Sequence, residues 1–349
     1  MNTERKSADF HVHYNPDKIS RHNETHPGTL DAETETTIEK IIASNIKYVG
    51  IVGRTVVGTP KIIDLIRSRL EVHGIKVIFG MEYHAVLPPD LRRLTLRGFV
   101  DFICFGFDHS SPEIQKEFGS DPTNSTELNA RIAKEFLEKL TRLGFNLEPQ
   151  TEEQKETLKN LKEGRIANKA DHLSLLILDL ADQNKDIIGD LEKKYGPPNE
   201  IDKRNNGYSS QKNWLYRLLF QAPTGLASFY FQKQPDVLTN LIHQTGGVVL
   251  YSPEGKFDPK VMDYLLSLGI DGVMGWHGAE LEDLPIPVVK SLRKSGKLVL
   301  GGSDFDPVKD SWQPGMGKGT MYLSDRRGKE LVNYLNAHSG GTHKTSSNP

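Results

Sequence analysis

Seven short apolar runs, bounded by turn residues, constrain this 349-residue chain more than any other feature. They are DFHVHY (9–14), YVGIV (48–52), KVIFG (76–80), VDFICFGF (100–107), GGVVLYS (246–252), GVMGW (272–276) and KLVLGGSD (297–304). Between the first three lie DAETETTIEKIIASN and TPKIIDLIRSRLEVHG, whose apolar residues recur at helical spacing. Asp31 and Thr59 are the expected N-caps of those helices, and Pro60 suits the first helical position. Strand-like runs separated by helices predict parallel strands in βα units. Seven of them in an α/β chain predict a closed or nearly closed β/α barrel; a doubly wound open sheet is the alternative.

The segment 112–245 breaks this rhythm. It is largely helical and polar, as in NARIAKEFLEKLTRLG and TEEQKETLKNLKEG, with a loop-like KYGPPNEIDKRNNGYSSQKN further on. We read it as a helical insertion subdomain, so that 1–111 and 246–338 form the barrel and 339–349 a disordered tail. An insertion at the C-terminal end of a barrel strand is expected over the active face, where it shapes substrate choice.

Composition narrows the function classes. The chain is 36% hydrophobic and 26% charged with a net charge of −2, as expected of a soluble globular protein. Without a global basic excess, nucleic acid held by bulk electrostatics is not suggested, although a local basic patch is left open. Cys104 is the only cysteine, which excludes an internal disulfide, fits a reducing compartment, and reads as a buried inert thiol. No run has the apolar length of a signal-peptide core or a membrane span, so a cytoplasmic location and no membrane partner are expected.

Histidines and carboxylates gather at the ends of these runs. His11 and His13 stand two apart on a strand and share a face. Glu82 follows the third run with His84 close behind; Asp108 and His109 follow the fourth. His277 ends the sixth, and Asp304 and Asp306 end the last. Each alone fits a strand entering a polar loop, but together they form the donor set that a divalent cation requires. His84 and His277 read as structural or surface residues. His22 and His26, in SRHNETHPG, are alternative ligands on a loop.

The ordered motifs ADFHVHYN, GMEYHA, FGFDHSS and GGSDFDP resemble those of the PHP (polymerase and histidinol phosphatase) phosphoesterases, over residues 8 to about 310. The resemblance implies a distorted (β/α)7 barrel and one to three zinc, manganese or iron ions. It implies a first metal position made of His11, His13, Glu82 and Asp304. Its second position keeps Glu82 and His109 but has Ser252 where an imidazole is usual. Its third has Arg54 and Asp306 where ligands are usual. In the insertion, His172, Lys169 and Arg165 match the part that contacts phosphate, and His277 is a further candidate for substrate binding.

The activity this implies is hydrolysis of a phosphate ester of a small metabolite or nucleotide by metal-activated hydroxide. Arg54, Asp306 and His109 are its candidate catalytic groups beside the metal set. Arg54 reads either as a clamp on the substrate phosphate or as a lost ligand paired with Asp306. A protein that binds one ion or none and works by binding a ligand or partner is the second reading. A metal-dependent hydrolase of an amide or ester is the third.

Overall fold

The computed structural model describes residues 8–54, 56–92, 94–95, 99–119, 122–166, 169–198, 209–220, 233–253, 257–277, 284–305 and 325–338. The expected tail at 339–349 lies outside them, as do Asp306 and the side chains of Lys169 and His277.

The chain divides into two compact units, 1–122 with 233–349, and 123–232. The first holds one seven-stranded sheet in sequence order. Its strands are β1 (Ala8–Tyr14), β2 (Tyr48–Arg54), β3 (Lys76–Val86), β4 (Phe99–Phe105), β5 (Val248–Ser252), β6 (Gly272–His277) and β7 (Leu298–Gly302). The sheet is nearly closed on itself. Beyond β7, Phe305 bridges to Val12 of β1, the His13 amide donates to the Phe305 carbonyl at 2.9 Å, and the Phe305 amide donates to His11.

All seven runs form strands, but they are not all parallel. β4 is antiparallel to both β3 and β5. The β3–β4 connection, residues 87–98, is about as short as a parallel crossover can be, and among its described residues it carries a single helical turn at Pro89–Arg92. β3 also runs on past residue 80 to Val86, so Glu82 and His84 are strand residues.

One apolar cluster takes side chains from every strand, among them Phe10, Val52, Ile78, Phe105, Leu250, Met274 and Leu300, and therefore fills the barrel interior. Leu331 and Leu335 of the helix Asp325–His338 join it. Each such buried side chain contributes roughly 1.5–3 kcal/mol. The alternate strand residues face outward. Ile51 and Phe79 pack with Ile62, Ile66 and Leu70 of the helix Pro60–Glu71. Met81, Phe102 and Val249 pack in a second outer layer with Leu238, Ile242 and Leu265.

The helix Ala32–Ala43 begins as expected, with the Asp31 carboxylate accepting from the Glu33 and Thr34 amides. Thr59 occupies the N-cap position of Pro60–Glu71 without a side-chain cap bond, so Pro60 alone supplies the start signal.

The helices Pro112–Phe118 and Pro235–Gln244 belong to the barrel unit rather than to the insertion. The second unit is helical, with a core of its own around Phe136, Leu140, Leu173, Ile177 and Trp214. Trp214 also donates from Nε1 to the Gly196 carbonyl. No helix among the described residues is long and apolar enough to cross a membrane.

Candidate metal centre

A β-bulge in β1 decides where the two histidines point. Ala8 and Phe10 face the interior. Between Asp9 and Val12 the pairing with β2 slips by one residue, after which Val12 and Tyr14 belong to the outer layer. His11 and His13 are thereby turned inward, as bulges beside functional sites commonly re-aim a side chain. Both are buried, with ring centroids 4.7 Å apart.

Glu82 reaches the same place from β3 and Asp304 from just beyond β7. The Nε2 of His13 lies 2.8 Å from Asp304 Oδ1 and 3.5 Å from Glu82 Oε2. The Nε2 of His11 lies 3.4 Å from Asp304 Oδ1 and 3.9 Å from Glu82 Oε2. Ligand atoms about 2.0–2.1 Å from one tetrahedral ion stand about 3.3 Å from each other. His11, His13 and Glu82 bring one ligand atom each within 4.8 Å of one another, and Asp304 lies within 3.4 Å of both imidazoles; two imidazoles with two carboxylates suit a borderline divalent ion. Asp304 holds its place at φ +53°, a left-handed conformation that costs a non-glycine residue energy and is concentrated at functional sites.

Asp9, a buried carboxylate beside His11 in the chain, ties this corner together. Its buried carboxylate accepts from the His11 amide at 3.1 Å and the Ser303 amide at 2.9 Å, joining β1 to the end of β7.

A second cluster adjoins the first through Glu82. Glu82, His84 and Asp101 also bring their ligand atoms within 4.8 Å of one another. His84 Nδ1 is hydrogen-bonded to the buried Asp101 carboxylate. Ser252 is the cross-strand partner of Asp101, and its buried hydroxyl has no hydrogen-bond partner among the described residues. Asp101 enters because β4 is antiparallel, so that its first residues stand at the edge where its neighbours end. The same inversion takes His109 away. The chain after β4 is tied to Thr245, ahead of β5, through the Asp108 amide. The His109 ring packs against Phe79 of the outer layer and Phe107. His109 is therefore not brought to the cluster, and His84 with Asp101 stands in its place beside Glu82.

Arg54 is the cross-strand partner of Glu82. Its Nε is 3.8 Å from Glu82 Oε2 and its side chain is half-exposed, so it lies at the rim of the site. His277 pairs through its backbone with Gly302. His172 lies in the second unit on the helix Lys169–Asp179, and Arg165 there is paired with Glu163. His22 and His26 stack on each other at 4.7 Å and bond to Thr29 and Thr25. Cys104 is buried, and burial pushes its thiol pKa up, which makes it inert.

The electrostatics are those of a site built for positive charge. Burial pulls the His11 pKa down, but Asp304 and then Glu82 outweigh it and raise it to about 9. Burial dominates at His13 and, with repulsion from His11 and Arg54, lowers its pKa. Burial would raise Glu82, yet His11, His13 and His84 together hold it well below the usual carboxylate range.

A proton on His11 thus supplies charge that an ion supplies in its place. Ligation requires neutral imidazole, so ion binding displaces that proton. Ion affinity is expected to rise with pH until about 9, with proton release detectable in weakly buffered titrations. In the ion-free protein the sign is opposite. The folded pKa of His11 exceeds its ordinary 6.5, so its stabilisation is complete below that value and is lost as pH rises through about 9. Thermal unfolding in chelator across that window measures the loss.

No protein-family model matches the chain, and no curated protein matches it in sequence. Among solved structures it is similar to an amidohydrolase from Chromobacterium violaceum, solved with bound sulfate and no metal. That likeness has 13% identity and a TM-score of 0.53 over 95% of this chain and 96% of the other. It is also similar to a protein of Bifidobacterium adolescentis assigned provisionally as a metal-dependent phosphoesterase. There the identity is 17% and the TM-score 0.49, over 93% and 95% of the two chains. At such identities the first of these likenesses speaks to the fold.

Proposed function

We propose that this protein is a metal-dependent hydrolase acting on a phosphate ester of a small metabolite or nucleotide. The observation that carries the reading is the cluster of His11, His13 and Glu82 within ligand distance of one another, with Asp304 beside both imidazoles. The ordered motifs that resemble the PHP phosphoesterases support it. Zinc, manganese or iron suits this set. When bound, such an ion supplies Lewis acidity, which acidifies water and polarises phosphoryl oxygens.

The protein's own groups have separable roles. Glu82, shared by both clusters, is placed to bridge to a second ion held by His84 and Asp101. The bond from His84 to Asp101 fixes the imidazole's orientation. Arg54 offers a fixed fork of donors at the rim, suited to bidentate contact with a phosphoryl group. Its proximity to Glu82 keeps the guanidinium at the mouth of the site. Arg54→Lys keeps the charge and loses the fork. It is expected to raise KM for phosphate esters roughly tenfold, about the worth of one charge-assisted hydrogen bond, with ion content unchanged. A panel of phosphate mono- and diesters assayed with manganese or zinc tests the reading; no turnover of any ester by ion-loaded protein counts against it.

The second reading, a protein that binds an ion and a ligand without turnover, is favoured by one observation. Ser252 stands where the resemblance puts an imidazole, beside a second cluster of only three strong donors. Tight binding of phosphate esters without product would select it.

A further inference from the structure

The barrel interior changes character along β3, β4 and β5. Ile78 of β3, Ile103 and Phe105 of β4, and Val248 and Leu250 of β5 fill the apolar interior. Side chains alternate along a strand, so Glu82, His84, Asp101 and Ser252 have the same parity and face that interior too. The apolar filling therefore gives way to a polar layer on the same three strands.

Register fixes the neighbours within that layer. His84 is directly opposite Asp101, and Asp101 directly opposite Ser252. Opposed residues on one face hold their Cβ atoms about 4.5–5.5 Å apart. Ser252 thus flanks the carboxylate of the second cluster on the side away from His84. It is 1% exposed, and its hydroxyl has no hydrogen-bond partner among the described residues. Buried hydroxyls are nearly always paired, because desolvating one without a partner is unfavourable. A buried hydroxyl left over beside Glu82, His84 and Asp101, whose ligand atoms lie within 4.8 Å of one another, points to a shared guest.

We propose that the Ser252 hydroxyl is a fourth donor to the second ion, and that it makes this position accept a harder cation than the first. The first position offers two imidazoles and two carboxylates. The second then offers one imidazole, two carboxylates and a hydroxyl, three oxygens against one nitrogen. Oxygen donors suit manganese and magnesium, whereas imidazoles suit zinc and iron. Zinc binds either position more tightly than manganese, so the selectivity is a smaller zinc-over-manganese ratio at the second. This assignment rests on the metal-dependent reading of the centre and deepens it, by naming which class of ion each position takes.

The test is calorimetric titration of the chelator-stripped full chain with manganese and, separately, with zinc. The parent is expected to take two equivalents of each ion, with a smaller zinc-to-manganese affinity ratio for the second. Ser252→Ala is expected to weaken the second equivalent of manganese about tenfold and to leave the first unchanged. It removes a hydroxyl that makes no hydrogen bond, so its ion-free Tm is expected at or above the parent's. Ser252→Cys is nearly isosteric and offers a soft donor. It is expected to raise the zinc-to-manganese ratio of the second equivalent at least about tenfold. A single equivalent in the parent, or a second equivalent that Ser252→Ala leaves unchanged, would overturn the proposal. So would a ratio that Ser252→Cys does not move, or a lower ion-free Tm in Ser252→Ala, which would mark a structural hydroxyl. Ester turnover by the same loaded samples separates this assignment from the proposed hydrolase. The expected response of the second equivalent without turnover would count against the hydrolase alone, and turnover with one equivalent bound would count against Ser252 alone.

Discussion

Glu82→Gln is expected to lower divalent-ion affinity by at least about a hundredfold and to abolish hydrolysis with it. Losing a group that only orients a ligand costs about ten- to a hundredfold, so losing a ligand that joins two clusters costs more. The substitution keeps the side-chain shape but removes the charge that draws on both imidazoles. Glu82 is buried, and in the ion-free protein its carboxylate is held ionised by His11, His13 and His84. The glutamine variant removes that buried attraction, so its ion-free Tm is expected to fall below the parent's, with no Tm increase on adding manganese or zinc. A parent protein whose Tm rises with the ion, beside a variant whose Tm does not, isolates the role of this carboxylate. Calorimetric titration of both proteins gives the affinity ratio directly.

Gly302→Ala is expected to damage the fold and the centre together. A Cβ at residue 302 would stand 2.2 Å from His11 Cβ, 2.5 Å from His11 N and 2.8 Å from His11 Cα. These are backbone-level obstructions that no rotamer relieves, so β1 and the end of β7 must separate. Overpacking of this kind costs about 1–3 kcal/mol or more. Separation also strains the bonds from the Asp9 carboxylate to the His11 and Ser303 amides. About 3 kcal/mol, read from urea unfolding, is the expected loss, together with weaker ion binding because His11 moves relative to Asp304. A variant as stable as the parent would show that the barrel is not held closed at this seam.

The alternation of apolar runs with helical segments was enough to predict seven strands in a barrel-like sheet with helices outside it. The inversion of β4 is not legible in the sequence, because the runs 76–80 and 100–107 leave a gap long enough for a parallel crossover and only the extension of β3 to Val86 shortens the connection to 87–98. That inversion explains two misplacements. His109 follows the end of β4 and looked like the next ligand only if that end lay with the others. Asp101 stands near the start of β4, and in the sequence nothing marks the start of that strand as lying beside the ends of its neighbours. His84 looked like a surface residue because β3 was ended six residues early, whereas two-residue alternation from Glu82 puts it on the inner face. For His11 and His13, spacing gave a common face but not which one. Phe10 and Val12 are both apolar, and only the bulge decides the matter. Asp304 was legible as a residue and not as a conformation, since nothing local to GGSDFDP shows a left-handed backbone at an aspartate.

Metal content per chain, by elemental analysis of protein purified without chelators, tests the central claim most directly, with His11→Ala beside it. At least one zinc, manganese or iron per chain in the parent, and a loss of most of it in the variant, is the predicted result. A parent that holds no ion even after equilibration with manganese or zinc would contradict it, because the clustered imidazoles and carboxylates of His11, His13, Glu82 and Asp304 would then be bound only to one another.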